Sequence, residues 1–380
     1  MWIRHSRRLM GKIFLFLVIL LLGGLVFAGC TRGAQPKGWS GGTIDNGTLF
    51  LGSMEGKLVA IDLSNHTQLW ETLLETAKPS GGFTFGCAPA TTSVAIYGNP
   101  AVGEDLVYIG GYNGKIYAFN PSSGLSKDQY LDETKPEPIV GGPVIALGKV
   151  YIGSSDGKLY ALNPATLDKE WEFQTGNKIW STPAIDGDTI FIGSLDKKLY
   201  ALSAATGNKK WEFATEGAIA STPVVHNDMV YIGSLDRHIY AIDAITGKLR
   251  WRSKVETDNW FWATPIVYND VIYAPSLDGK VYILNAENGN EIKDAIDLGS
   301  PVPSWPVLVG KSIIIASQEG RIYALDTDTH QKRELNNLEE EIYAPLSASD
   351  GIVYIHTIEG ELYALNAQTG AELWKLSFSK

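Results

Sequence analysis

Short apolar runs broken by Asp, Asn and Gly recur along almost the whole chain. Val150–Leu162, Ile190–Leu202 and Val230–Ile242 read VYIGSSDGKLYAL, IFIGSLDKKLYAL and VYIGSLDRHIYAI. Each is a pair of β-branched and aromatic stretches around a polar turn, which is the pattern of a hairpin. In Ser221–Val255 this pattern predicts four strands: A over about Thr222–Val225, B over Met229–Gly233, C over His238–Asp243 and D over Lys248–Ser253. No stretch after residue 30 sustains a helical period.

The unit repeats. Val59, Tyr117, Tyr160, Tyr200, Tyr240, Tyr282, Tyr323 and Tyr363 hold equivalent places, at steps of 58, 43, 40, 40, 42, 41 and 40 residues. Four strands per unit at this period make a propeller blade. Residues 39–380 are therefore expected to form one all-β, eight-bladed β-propeller with four antiparallel strands per blade. A blade cannot bury both of its faces alone, so neighbours must cover it. Trp70, Trp171, Trp211, Trp251 and Trp374 fall at matching strand D positions and are expected, with the strand C tyrosines, between blades. Blades 2, 6 and 7 lack this Trp. Leu131 and the region of Ala295 and Glu334 stand near its place, and these blades are expected to pack less uniformly.

The first 30 residues are unlike the rest. Arg4, Arg7, Arg8 and Lys12 precede 16 residues, Ile13–Ala28, without a charged or polar side chain. A membrane span needs about 20, and a cationic start with a shorter apolar run is the plan of an export signal. Phe27-Ala28-Gly29-Cys30 resembles a lipobox, with Phe27 in place of the usual Leu. This divides the chain into a signal peptide (1–29), a tether (30–38) and the propeller. Cys30 is then the lipidated N-terminus that anchors an exported protein to the cell or outer membrane. An uncleaved anchor would leave the propeller on the same side. Ser6-Arg7-Arg8 also admits twin-arginine export, but Met10-Gly11 and the very apolar run that follows favour the general route.

Loss of residues 1–29 takes away four cations and no acid, leaving 28 cations against 42 acids. Such a body has no positive field for phosphate, which argues against nucleic acid. With Cys30 lipidated, Cys87 is alone, so neither a disulfide nor a cysteine metal site is available.

Tyr240–Trp251 (YAIDAITGKLRW) resembles the tryptophan-docking repeat of pyrroloquinoline-quinone (PQQ) propellers, as do Tyr200–Trp211 and Tyr363–Trp374. The same repeat, after a lipobox, marks the BamB family of lipoproteins of the outer-membrane β-barrel assembly machinery. That resemblance covers about 340 residues and implies the propeller and a non-enzymatic, membrane-tethered scaffold that holds a protein partner through loops on one face. No Trp-Asp pair occurs, which separates the chain from WD-type propellers.

The alternative is a PQQ-binding quinoprotein oxidoreductase or another small-ligand propeller. The quinone site needs a carboxylate-held Ca²⁺, cations for its carboxylates and an Asp base. Vicinal cysteines and site-building insertions, which many such enzymes carry, are missing here, and the six histidines show no ligand spacing. No catalytic residue and no metal are assigned, and neither PQQ nor Ca²⁺ is expected.

Binding is expected on the face formed by the B–C turns and D–A connections, by a propeller that is itself a monomer. Trp39, Tyr97, Trp180, Trp262 and Tyr343 should rim its funnel, with Trp260 and Trp305 close by. Six B–C turns carry Gly at the second turn residue, which suits a positive φ. Blades 4 and 5 carry Lys197 and Arg237 instead. Departures from a local rule mark candidate function. Lys197, Lys198, Arg237 and His238, beside Trp180, Trp260, Trp262 and Trp305, are thus the candidate contact patch. The first step includes an insertion in 71–97, with Ser80–Ser93 rich in Gly, Ser and Thr, whose role and that of Cys87 are left open, as are the partner and the means of ring closure.

Overall fold

The computed structural model describes residues 38–74, 94–130, 136–255 and 257–378. The leader, Cys30, Ser80–Ser93 with Cys87, and Leu131 lie outside the described residues. Eight antiparallel sheets, each of four consecutive strands, form the blades: 42–73, 101–130, 144–174, 184–214, 224–252, 266–297, 307–337 and 347–377. In blade 5 the strands are Val224–His226 (A), Met229–Gly233 (B), Ile239–Asp243 (C) and Leu249–Arg252 (D). Strand A is shorter than the sequence suggests and starts after Pro223. Strands B and C are buried on both sides, so they read as unbroken apolar runs. Strand D alternates exposed and half-buried positions because only one of its faces is covered.

The core is divided. Eight buried clusters fill the interfaces between neighbouring blades, one in each. The strand D tryptophans organise them. Trp70, Trp171, Trp211 and Trp251 each reach the C–D turn of the next blade and donate the indole N–H to a carbonyl there: Pro121, Ala204, Ala244 and Ala286, at 2.8–3.2 Å. Each ring lies on a glycine of that turn (Gly124, Gly207, Gly247, Gly289). A Cβ there would stand 2.4–2.6 Å from the ring, and φ is +67° to +73°. Bulk and backbone both demand glycine. On its other side each Trp packs against the strand B aromatic of its own blade, ring planes inclined 43–46°.

Blades 2, 6 and 7 differ from expectation. The residues paired with the strand C positions Ala118, Ile283 and Ala324 are Asp128, Lys293 and Arg333, not Leu131, Ala295 and Glu334. The next blade's turn is still engaged. Lys293 Nζ donates to His330 O at 2.8 Å and Arg333 Nη2 to Gln368 O at 2.5 Å. After blade 2 the glycine itself is replaced. Leu167, at φ 58°, occupies its place, buried in the blade 2–3 core.

The ring closes with no shared strand, since the first and last blades each own four. A core of Leu49, Leu51, Val59 and Ile61 against Tyr354, Leu362 and Ala364 joins them. In blades 1–5 strand B ends on glycine (Gly52, Gly110, Gly153, Gly193, Gly233), whose Cβ would fall 2.2–2.6 Å from an Ile or Phe that leads into the next blade. Blade 8 inverts the fit. His356 ends its strand B and Gly38 leads into blade 1. The buried imidazole fills the space, and Nδ1 donates to Ser40 O at 3.0 Å. Nε2 has no partner. Burial lowers its pKa to about 4. Trp374, stacked on His66 at 5.1 Å, also leaves its indole N–H unpartnered.

Trp211→Phe should destabilise more than Trp374→Phe, by about 1 kcal/mol or more, because only the first strands a carbonyl. Trp211→Ala should cost about 3–5 kcal/mol. Urea unfolding of the three variants checks both numbers. For His356 the unfolded imidazole binds its proton near pH 6.5 and the folded one near pH 4. Its contribution is therefore complete above pH 6.5 and lost as pH falls toward 4. Between pH 7 and 4.5 the wild type should lose about 2–3 kcal/mol more than His356→Leu, measured as the difference in urea stability at the two pH values.

Candidate functional site: the funnel face

The B–C turns and D–A connections share one face and are bonded to each other. Leu195 N–H donates to Lys178 O, Leu235 N–H to Ala218 O and Leu277 N–H to Trp260 O, at 2.9–3.0 Å. Carboxylates in the turns tighten this. Asp196 accepts the Tyr200 hydroxyl at 2.6 Å, Gly176 N–H at 2.7 Å and Lys198 N–H at 3.0 Å. Asp236 accepts Tyr240 OH at 2.8 Å with the N–H groups of Glu216, Gly217 and His238. Asp156 and Asp278 hold Tyr160 and Tyr282 alike. Burial first, and then the neighbouring carboxylate, push the Tyr240 hydroxyl up to about 12. These aspartates are fixed struts of the face. The sequence carries their signal, an Asp four residues before a Tyr in four successive units, which the repeat pattern alone does not single out.

On this frame sit two groups of aromatics. Trp180 and Trp262 meet edge to face, 6.2 Å apart with planes at 62°. They belong to blades 4 and 6, and they touch because the intervening rim residue is the small Ala220. Trp180 Nε1 donates to Ser155 Oγ at 3.1 Å. The second group runs from Tyr343 to Trp39 (5.6 Å), to Tyr97 (4.5 Å) and to Tyr112 (5.3 Å). Burial, more than the neighbouring Tyr112, pushes the Tyr97 hydroxyl up to about 12. Tyr112, in the B–C turn of blade 2, is 39% exposed and was not singled out from the sequence. An aromatic side chain at the turn position held elsewhere by Ser155, Leu195 and Leu235 was the available sign.

Inside the rim, Thr182 Oγ1 accepts Gly142 N–H at 2.9 Å, and Thr222 Oγ1 accepts Thr182 N–H at 3.3 Å. Thr264 continues this row with a buried hydroxyl that has no partner. Trp305 holds the next equivalent place, half-buried, and its carbonyl accepts Leu346 N–H at 3.1 Å. Trp260 is half-buried, and its carbonyl accepts Leu277 N–H at 3.0 Å.

The four polar candidates divide. Lys197 and Arg237 crown successive turns, exposed, at φ 74° and 76°, where the six glycines have φ 77–92°. Their turns are bonded to the two connections that end on Trp180 and Ala220, which places them on the same face as the Trp180–Trp262 pair. Lys198 and His238 turn away along the blades. Lys198 Nζ pairs with Glu212 at 2.6 Å and His238 Nδ1 donates to Ser253 O at 3.1 Å, both toward strand D. Among the described residues no three carboxylate, imidazole or thiol groups converge as a metal site.

Residues 148–380 match the model of a family described as the β-propeller of the beta-alanine-activating enzyme, and residues 30–173 match that of outer membrane protein assembly factor BamB. No curated protein sequence matches the chain. Among solved structures, BamB from Moraxella catarrhalis is 17% identical, with a TM-score of 0.70 over 85% of this chain and 95% of that one. The computationally designed Ika8 protein is 15% identical, with a TM-score of 0.71 over 87% and 97%. The quinohemoprotein alcohol dehydrogenase from Comamonas testosteroni is 15% identical, with a TM-score of 0.60 over 74% and 67%. The fold is a PQQ-like propeller resembling BamB. At these identities the structural likeness concerns the fold alone.

If Lys197 and Arg237 are kept for contact rather than for stability, removing their strain should show it. Lys197→Gly and Arg237→Gly are each expected to stabilise the protein by up to about 1 kcal/mol, read as a rise in the urea midpoint.

Proposed function

The chain belongs to the β-propeller family described for the beta-alanine-activating enzyme, and from that premise we propose that it is a non-enzymatic, membrane-tethered scaffold of the BamB kind. In this reading the protein is exported and held by lipid on Cys30. It works as a single propeller and binds a protein partner through the sector of the funnel face built by blades 4–6. The match of residues 30–173 to the BamB family supports it.

The observation that carries the reading is the Trp180–Trp262 pair, on the face where Lys197 and Arg237 crown the turns of blades 4 and 5. Two large aromatics stand half-exposed and fixed, with Trp180 pinned by its indole bond. On the same face two cations occupy left-handed backbone that glycine takes in the other turns. Rigid aromatics bordered by cations are what protein interfaces select as anchors. An edge-to-face aromatic pair held in place in this way offers a contact surface.

Capture of partners from membranes by the native lipoprotein, followed by affinity measurements on variants, tests this. Trp262→Ala should weaken binding by about thirtyfold or more, as anchors at interface centres do. Arg237→Ala should weaken it less and reduce its dependence on salt. Unchanged affinity in both would remove the proposal. So would Ca²⁺- and PQQ-dependent dye reduction by the purified protein, which would favour the quinoprotein reading.

A further inference from the structure

We propose that the funnel face is turned toward the membrane, so that the partner it reads is the part of an integral membrane protein that lies against the bilayer. This rests on the tethered reading above. It starts from where the chain joins the propeller.

The polypeptide comes in through the funnel rim. Trp39 packs between Tyr97 and Tyr343, which hold the rim places of blades 2 and 8. Gly38 lies so close to blade 2 that a Cβ would stand 2.0 Å from Ile96 O. Ser40 is buried, donating to Gly98 O at 2.9 Å and accepting from His356 at 3.0 Å. The path of the chain is therefore fixed from Gly38 onward, near the propeller axis and on one face.

Cys30 lies eight residues before Gly38. Whatever their conformation, eight residues reach at most ~28 Å. To set the opposite face on the membrane, the tether would first cross a blade from strand A to strand D, about 14 Å at ~4.8 Å per strand. It would then descend the length of a five- or six-residue strand, about 17–20 Å. That route needs about 31–34 Å before any lipid enters the bilayer, more than the tether has. With the funnel face down no detour is needed. The half-exposed Trp39, Trp180, Trp262 and Tyr112 face the same way, and Trp and Tyr favour the membrane–water interface.

A short tether also acts on binding. It holds the contact sector within a few nanometres of the bilayer, so a membrane-embedded partner meets it at high effective concentration while a soluble one does not.

Two exposed positions around blade 5 report on the two faces. Asp258, with its side chain 88% exposed, lies in the connection that follows the blade on the funnel face. Ile245, 75% exposed, lies in its C–D turn on the other. In a Cys87→Ser background with Cys30 retained, Asp258→Cys and Ile245→Cys would carry a donor dye. The lipidated protein would be placed in phosphatidylcholine–phosphatidylglycerol vesicles bearing an acceptor on the headgroups. Energy transfer should be at least about twofold stronger from Asp258→Cys. A flexible insertion of about 20 residues between Lys37 and Gly38 should erase the difference. Flotation with equal or reversed transfer overturns the orientation alone. Failure to float with the vesicles overturns the tether and the orientation together.

Discussion

Each blade has two apolar faces and can cover neither by itself, and everything else in this structure answers that constraint. The answer is local and repeated. A strand D indole crosses to the next blade, lies on a glycine and donates to the carbonyl beside it. In two interfaces the strand B tyrosine of the same blade donates to that carbonyl as well, Tyr151 to Ala204 and Tyr231 to Ala286, both at 3.0 Å. A buried carbonyl left unpaired would cost about 1–3 kcal/mol, so these contacts satisfy a polar group as well as bury surface. The glycine serves its neighbour's indole more than its own blade, which makes blade identity a property of pairs.

Seen as pairs, the degenerate blades are less irregular than their sequences. Where blade 2 lacks the indole, the facing glycine is Leu167, and the strand B Tyr108 supplies the donor to Pro164 O at 2.6 Å. Where blade 6 has Lys293, the facing residue is His330, which meets the Tyr273 hydroxyl at 3.1 Å. Loss of bulk on one side is matched by gain on the other, as close packing requires. The seam is the interface where the match is incomplete. There His66 replaces glycine, the Trp374 indole has no acceptor, and His356 is buried with one nitrogen unpaired. A ring must close somewhere, and here the closure holds two of the five buried side-chain atoms left without partners among the described residues.

The period, the strand order and the docking tryptophans were legible because each is a local signal repeated at fixed spacing. What was missed depends on register. In most blades one residue of strand D bulges out just before the docking position, between the partners of Ala201 and Leu202 for example. In blade 7 the bulge moves to Ile322/Tyr323, and blade 6 has two. A bulge shifts every later pairing by one, so Arg333, three residues after His330, could not be found by counting from the turn, whereas Lys293 lies four after Gly289, as Trp211 does after Gly207, and was legible. The funnel face shows the same limit. Position along the chain put Lys197, Lys198, Arg237 and His238 together, yet alternation along a strand sends successive side chains to opposite sides. Lys198 and His238 follow that rule toward strand D, where Glu212 and Ser253 hold them.

The regular and irregular parts of the chain therefore divide the molecule by face. The C–D turns must accept the neighbouring blade, so they are constrained to glycine or to a fitted substitute, and they leave little freedom for anything else. The B–C turns have their own strut, an Asp joined to a Tyr four residues on, which fixes the backbone without using the turn's outermost side chain. That side chain is free to vary at a cost of about 1 kcal/mol in strain, and in blades 4 and 5 it has become Lys197 and Arg237. The rim positions beside them are likewise filled from Ala220 to Trp262 without disturbing the sheets below. A propeller built this way can change what it presents on one face while its interfaces stay intact, and the chain joins the ring on that same face.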